Sequence, residues 1–149
     1  MSHRRIRALC VGTLFPLVLC GPIAYAAGKS EIKGPAILEH PCGKVAVKQM
    51  GLMNAGKIDE ANKLTTKEMQ DQWKAMPAKD RTMMQGMMKD MSEKPDQFTA
   101  EIKATGVLVV DGSAATLTVK QTKKDANGTS TSTTTQNYMM TGNECLVSR

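Results

Sequence analysis

The stretch Gln97–Lys123 reads QFTAEIKATGVLVVDGSAATLTVKQTK, and the repeat of its apolar residues decides the fold. Phe98, Ala100, Ile102 and Ala104 fall at every second position, the period of a strand with one buried face. Gly106–Val110 is a short β-branched run, and Asp111-Gly112 interrupts it as a turn would. Ala115, Leu117 and Val119 then resume the alternation. The spacing predicts strands in succession from Gln97 onward. The C-terminal remainder continues the pattern. Asn127-Gly128 is a hairpin turn signal, Thr129–Thr141 is rich in β-branched threonine, Thr141-Gly142-Asn143 is another turn, and Glu144–Arg149 ends on a short strand.

Before Gln97 the period is helical. Pro41–Ala55 predicts a first helix, with Pro41 in its first turn and Gly56 after its end. At 100° per residue, Val45, Ala46, Met50, Leu52 and Met53 share one side. Ile58, Ala61 and Leu64 mark a short second helix. Thr65 and Glu68 match a capping box for a third, in which Met69, Trp73 and Met76 share a face. A fourth covers Ala78–Ser92, and Pro95 closes the helical half. Helices first and a meander second predict an α+β fold: N-terminal helices packed on a curled antiparallel sheet of four or five strands.

The fourth helix carries five methionines between Met83 and Met91. On a helical wheel they occupy one arc of about 140°, the width of a core-facing stripe. Two functional uses stay open beside packing. One is a groove for an apolar ligand or partner, built on Met84, Met87, Met88 and Met91 with Trp73, since methionine surfaces adapt to varied partners. The other is Cu(I), which soft thioethers select: Met84, Met88 and Met91 with His40, or with Met50, Met53, Met69 or Met76.

The N-terminus sets the compartment. Arg4, Arg5 and Arg7 precede the apolar run Ala8–Leu19, and Ala24-Tyr25-Ala26 offers small residues for cleavage. That pattern predicts a signal peptide at 1–26 and a periplasmic or secreted protein. An uncleaved anchor would need about 20 apolar residues, and Gly12, Pro16, Gly21 and Pro22 interrupt this run. Lipidation at Cys20 meets a bulky Leu19 where a small residue is usual. The whole chain has 20 basic and 14 acidic residues. The signal removes three arginines and no acid, so the mature chain keeps a net +3 in scattered lysines. With only Trp73, Phe98 and Tyr138 for stacking, nucleic acid is not the expected partner. Cys42 and Cys145 remain, and an even pair in an exported chain predicts a disulfide. Ala27–His40 reads as a flexible arm ahead of a single domain at 41–149.

Gly56, Asp59, Ala61 and Leu64 after an amphipathic helix, a Met/Trp helix and then a meander resemble the nuclear transport factor 2-like (cystatin-like) superfamily, in particular its small exported proteins of unknown function. The resemblance spans about 41–147 and implies helices laid over a curled sheet. It departs at the last strand, where Asn143-Glu144-Cys145 stands in place of Gly-x-Trp. Enzymes of that superfamily carry Asp and His in the cavity. No matching pair occurs here, so the resemblance implies no catalytic residue and no cofactor.

Other motifs point to ordinary structure. Thr129–Thr135 reads as a solvated outer strand, and Asn127-Gly128-Thr129 as a turn in preference to a glycosylation site. Asp59-Glu60 and Glu93/Asp96 fit helix ends. No phosphate loop, zinc spacing or nucleophile elbow stands out. The expectation is a non-enzymatic envelope domain that binds a partner protein or a small apolar ligand, with no membrane span after signal cleavage. A Met-rich copper protein is the alternative.

Overall fold

The computed structural model describes residues 28–125 and 128–149. The predicted signal at 1–26, and Asn127 of the predicted turn and glycosylation motif, lie outside the described residues. The fold is α+β, with N-terminal helices packed on an open antiparallel sheet.

Five strands form that sheet: β1 (Ser30–Lys33), β2 (Val107–Asp111), β3 (Ala114–Asp125), β4 (Gly128–Thr141) and β5 (Glu144–Ser148). They lie in the order β1-β2-β3-β4-β5. Two-residue turns at Gly112-Ser113 and Gly142-Asn143 join β2 to β3 and β4 to β5. Both glycines take positive φ, +59° and +60°, which these hairpins require. Alternation works as predicted in β3: Ala115, Leu117 and Val119 are buried, facing Tyr138, Cys145 and Val147 in the same core.

The helices are α1 (Pro41–Asn54), α2 (Ile58–Asn62), α3 (Lys67–Ala75), α4 (Ala78–Met91) and α5 (Pro95–Thr105). The last corrects the reading of Gln97–Thr105 as a strand. Phe98 and Ile102 satisfy both a period of two and the i, i+4 spacing of a helix, and both are buried. Ala100 and Ala104 separate the two readings: a strand would bury them alongside, yet both are exposed. Pro95 in the first turn, Asp96 beside it and Lys103 in the last turn suit a helix. Pro95 therefore opens a fifth helix and does not close the helical half.

Ala27–His40 is not a flexible arm where it is described. Ser30–Lys33 pairs with β2, placing Glu31 opposite Val109. A short 3-10 helix over Gly34–Glu39 then buries Ile37 completely. The predicted capping box does not form either. Thr66 is the N-cap of α3 and makes no side-chain cap bond. The Thr65 hydroxyl instead donates to the Asn62 carbonyl at 2.7 Å, and Glu68 accepts from Gln72 at 3.3 Å. The buried line of α1 runs through Cys42, Ala46 and Gln49, so a polar residue sits where Val45, Met50, Leu52 and Met53, all half-buried, were expected to lead.

Candidate ligand-binding cavity

Four helices and Arg149 line a half-open cavity of about 240 Å³. Helix α1 contributes Gln49 and Met53, and α2 contributes Ile58, Ala61 and Asn62. From α3 and its end come Met69, Gln72, Trp73 and Met76, while α4 adds Met84 and Met88. Thr65 and Arg149 complete the lining, and Arg149 brings its only charged side chain.

Local bonds fix the walls. The Trp73 indole N–H donates to Asp59 Oδ1 at 2.8 Å, and Gln85 Nε2 reaches Asp59 Oδ2 at 3.4 Å. One carboxylate from α2 thus orients the ring from α3 and touches α4. Arg81 donates to the carbonyls of Lys74 and Met76 at 3.2 and 3.0 Å, closing the open end of α3 and setting the corner at Pro77. The loop before α3 is pinned to the sheet: Thr66 N–H donates to Val147 O, and Val147 N–H to Leu64 O, both at 2.9 Å.

Gln49 forms the inner wall. Its Oε1 accepts from Gln136 Nε2 at 2.9 Å, and Gln136 Oε1 accepts from the Tyr138 hydroxyl at 3.2 Å. Burial pushes the Tyr138 phenol well above its ordinary 10.0, so it stays protonated and donates. The network holds a polar residue inside an apolar face without leaving its carbonyl unpaired.

The predicted groove residues are only partly brought together. Trp73, Met84 and Met88 meet in the cavity. Met87 and Met91 do not: they are 50% and 75% exposed, and Met83 is 60% exposed. The expectation that all five methionines face the core is therefore corrected, because α4 buries none of its residues fully. Helix α4 rests on its neighbours along one edge of the stripe, where Met84 and Met88 lie. The row Met83, Met87, Met91, on the other edge, faces water.

His40 stands apart. It is the N-cap of α1, where its Nδ1 accepts from the Cys42 N–H at 3.2 Å, and burial lowers its pKa from 6.5. At ~1.5 Å rise per residue, the cap lies about 13 Å along α1 from Gln49 and about 20 Å from Met53. Met84, Met88, Met91 and His40 therefore do not converge. Met53, Met69 and Met76 join Met84 and Met88 instead, as the wider copper reading named them.

Hydrophobic periodicity missed Gln49, Asn62, Thr65, Gln72 and Arg149. Gln49 had a usable signal, since it is three residues from Ala46, four from Met53 and seven from Cys42 on one helical face. Arg149 had none. The predicted disulfide between Cys42 and Cys145 is present, joining the start of α1 to β5. Among the described residues, no helix is long and apolar enough to cross a membrane. No protein family, curated protein or solved structure matches the chain.

Proposed function

We propose that this is an exported, non-enzymatic binding protein whose ligand is a small apolar molecule held in the methionine-lined cavity. The observation that carries the reading is the cavity itself, about 240 Å³ walled by Trp73 and five methionines. That is room for roughly eight water-sized volumes, in a setting with few polar partners for water. Flexible thioethers suit a ligand of variable shape. A partner protein in the cell envelope would use the same site by inserting one apolar side chain. The signal-like N-terminus and the Cys42–Cys145 bond support a periplasmic or secreted location. The run of helices into a meander supports the resemblance to the nuclear transport factor 2-like superfamily, which enters here as part of the proposal.

Trp73, the chain's single tryptophan, reports on the site directly. Titration with primary alcohols of increasing length is expected to change its emission saturably. Affinity should rise about fourfold per methylene until the cavity is full, from ~0.8 kcal/mol per buried CH₂. Replacing Met84 and Met88 by Gln should weaken binding at least ~10-fold. A response that is non-saturable, or the same in the double variant, overturns the reading.

A second reading rests on the same convergence. Met53, Met69, Met76, Met84 and Met88 place five soft donors on one cavity, a donor set for Cu(I). Replacing Met84 and Met88 by Leu separates the two. Alcohol binding should survive, while tight one-to-one uptake of Cu(I) or Ag(I) should fall to the level of free methionine. A wild-type protein that binds neither ion removes the copper reading.

A further inference from the structure

The cavity is not uniformly apolar: a buried amide and a positive charge stand together on its wall. Gln49 lines it from α1 and is 9% exposed. Arg149 lines it from just beyond β5 and is exposed. The sheet brings the two together. Ser148 pairs with Asn137, and continuing that register sets Arg149 opposite Gln136, whose Nε2 donates to Gln49 Oε1. Alternation carried past β5 places Arg149 on the face of Cys145 and Val147, which belong to the core.

Hydrogen bonding decides which atom of Gln49 is left over. The Tyr138 phenol donates to Gln136 Oε1, so the Gln136 amide presents its Nε2 to Gln49. Gln49 accepts with its Oε1, and its NH₂ group keeps both N–H donors, with no partner among the described residues. A buried donor without an acceptor is costly, so a cavity wall that carries one suits a ligand that supplies the acceptor. The Arg149 guanidinium forms no ion pair among the described residues. No carboxylate lines the cavity, since Asp59 holds Trp73 and Gln85 from outside the lining. Gln49 and Arg149 therefore offer donors and one positive charge.

We propose that the ligand is an aliphatic carboxylate, its head held by Gln49 Nε2 and Arg149 and its tail laid among Trp73 and the methionines. This deepens the apolar-ligand reading and rests on it. The tail supplies what the thioethers select, and the head supplies the acceptor that Gln49 lacks. At roughly the room of one water per heavy atom, about 240 Å³ holds on the order of eight heavy atoms, the size of hexanoate. Because Arg149 is exposed, the head keeps water on one side and its charge is not fully dehydrated. Guanidinium and amide both give charge-assisted bonds to a carboxylate, which a neutral alcohol cannot match. An alkylammonium of equal length meets only donors and a like charge there.

Trp73 emission, titrated near pH 7 in low salt with hexanoate, 1-hexanol and hexylammonium, tests the head group. Hexanoate is expected to bind at least ~10-fold more tightly than hexanol, and hexylammonium more weakly than hexanol. Arg149→Gln should lower the hexanoate-to-hexanol affinity ratio at least ~3-fold, the scale of an exposed charge pair. Gln49→Glu keeps an acceptor for Gln136 but replaces the free NH₂ by a carboxylate oxygen, so it should reverse the order in favour of hexylammonium. Should Gln49→Glu disturb folding, seen as an altered far-UV circular dichroism spectrum, the wild-type order and the Arg149→Gln ratio decide. Saturable binding of hexanol with hexanoate no tighter overturns the head-group inference and leaves the cavity reading standing. A hexanoate preference that Arg149→Gln leaves unchanged also overturns the inference. If none of the three ligands binds saturably, both readings fall.

Discussion

Gly43 stands where α1 meets the 3-10 segment with no room for a side chain. A Cβ there would lie 1.8 Å from the Ile37 carbonyl oxygen and 2.7 Å from its carbon. The obstacle is backbone of a fully buried residue, so it cannot swing aside. Gly43→Ala is expected to destabilise by about 2–4 kcal/mol in chemical denaturation. Gly86, inside α4, is the counterpart: a Cβ there meets nothing within 4 Å. Gly86→Ala should stabilise by ~0.5–1 kcal/mol through helix propensity alone. His40 makes a pH prediction at the same scale. Its pKa is lowered from 6.5 by burial, so the unfolded chain binds its proton first. Stability from this group is complete above about pH 6.5 and is lost as pH falls through the folded value. Protonation also removes the Nδ1 lone pair that accepts from Cys42 N–H. His40→Asn keeps a capping acceptor without titrating, so urea midpoints measured from pH 8 to 5 should drop less in the variant than in wild type.

At the scale of elements, the sequence disclosed whatever obeyed a clear period and hid whatever two periods shared. The span of helix α1, the Met69–Trp73–Met76 face of α3 and the β3 alternation were legible because each follows one repeat, although the buried line of α1 runs through Gln49 and not through Met50. Helix α5 was not, because Phe98 and Ile102 fit a strand and a helix equally, and the small Ala100 and Ala104 were poor witnesses to which face is wet. Helix α4 was placed correctly, but its stripe was assigned one environment where there are two. A wheel gives angular position and cannot say how far a neighbouring helix reaches around it. The division is measurable. Replacing Met83, Met87 and Met91 together by Gln should change stability by less than ~1 kcal/mol, since all three are already in water. The same exchange at Met84 and Met88 should cost more and should perturb Trp73 emission. Equal effects from the two sets would mean that the rows are not distinct.

At the scale of the whole molecule, one covalent bond links the cavity to the sheet. Cys42 and Cys145 are buried and 103 residues apart in sequence, so their bond closes most of the described chain. A loop of that size is worth up to ~4.7 kcal/mol in the chain-entropy account, against a total stability of about 5–15 kcal/mol. Its two ends have different duties. Helix α1 carries Gln49 and Met53 into the cavity, and β5 holds Leu64–Thr66, the loop that leads into α3. Cutting the bond therefore frees two cavity walls from each other, while the β2–β3–β4 meander keeps its own turns and ladders. Reduction should lower the urea midpoint of far-UV circular dichroism by the equivalent of about 2–5 kcal/mol. The Trp73 emission transition should also move ahead of the dichroism transition, because the helices around the ring lose their tie before the sheet melts. In the oxidised protein the two transitions should coincide, as in a single cooperative unit. If reduction leaves both curves in place, the link between cavity and sheet rests on the hydrogen bonds of Val147 and the Gln49–Gln136 contact alone.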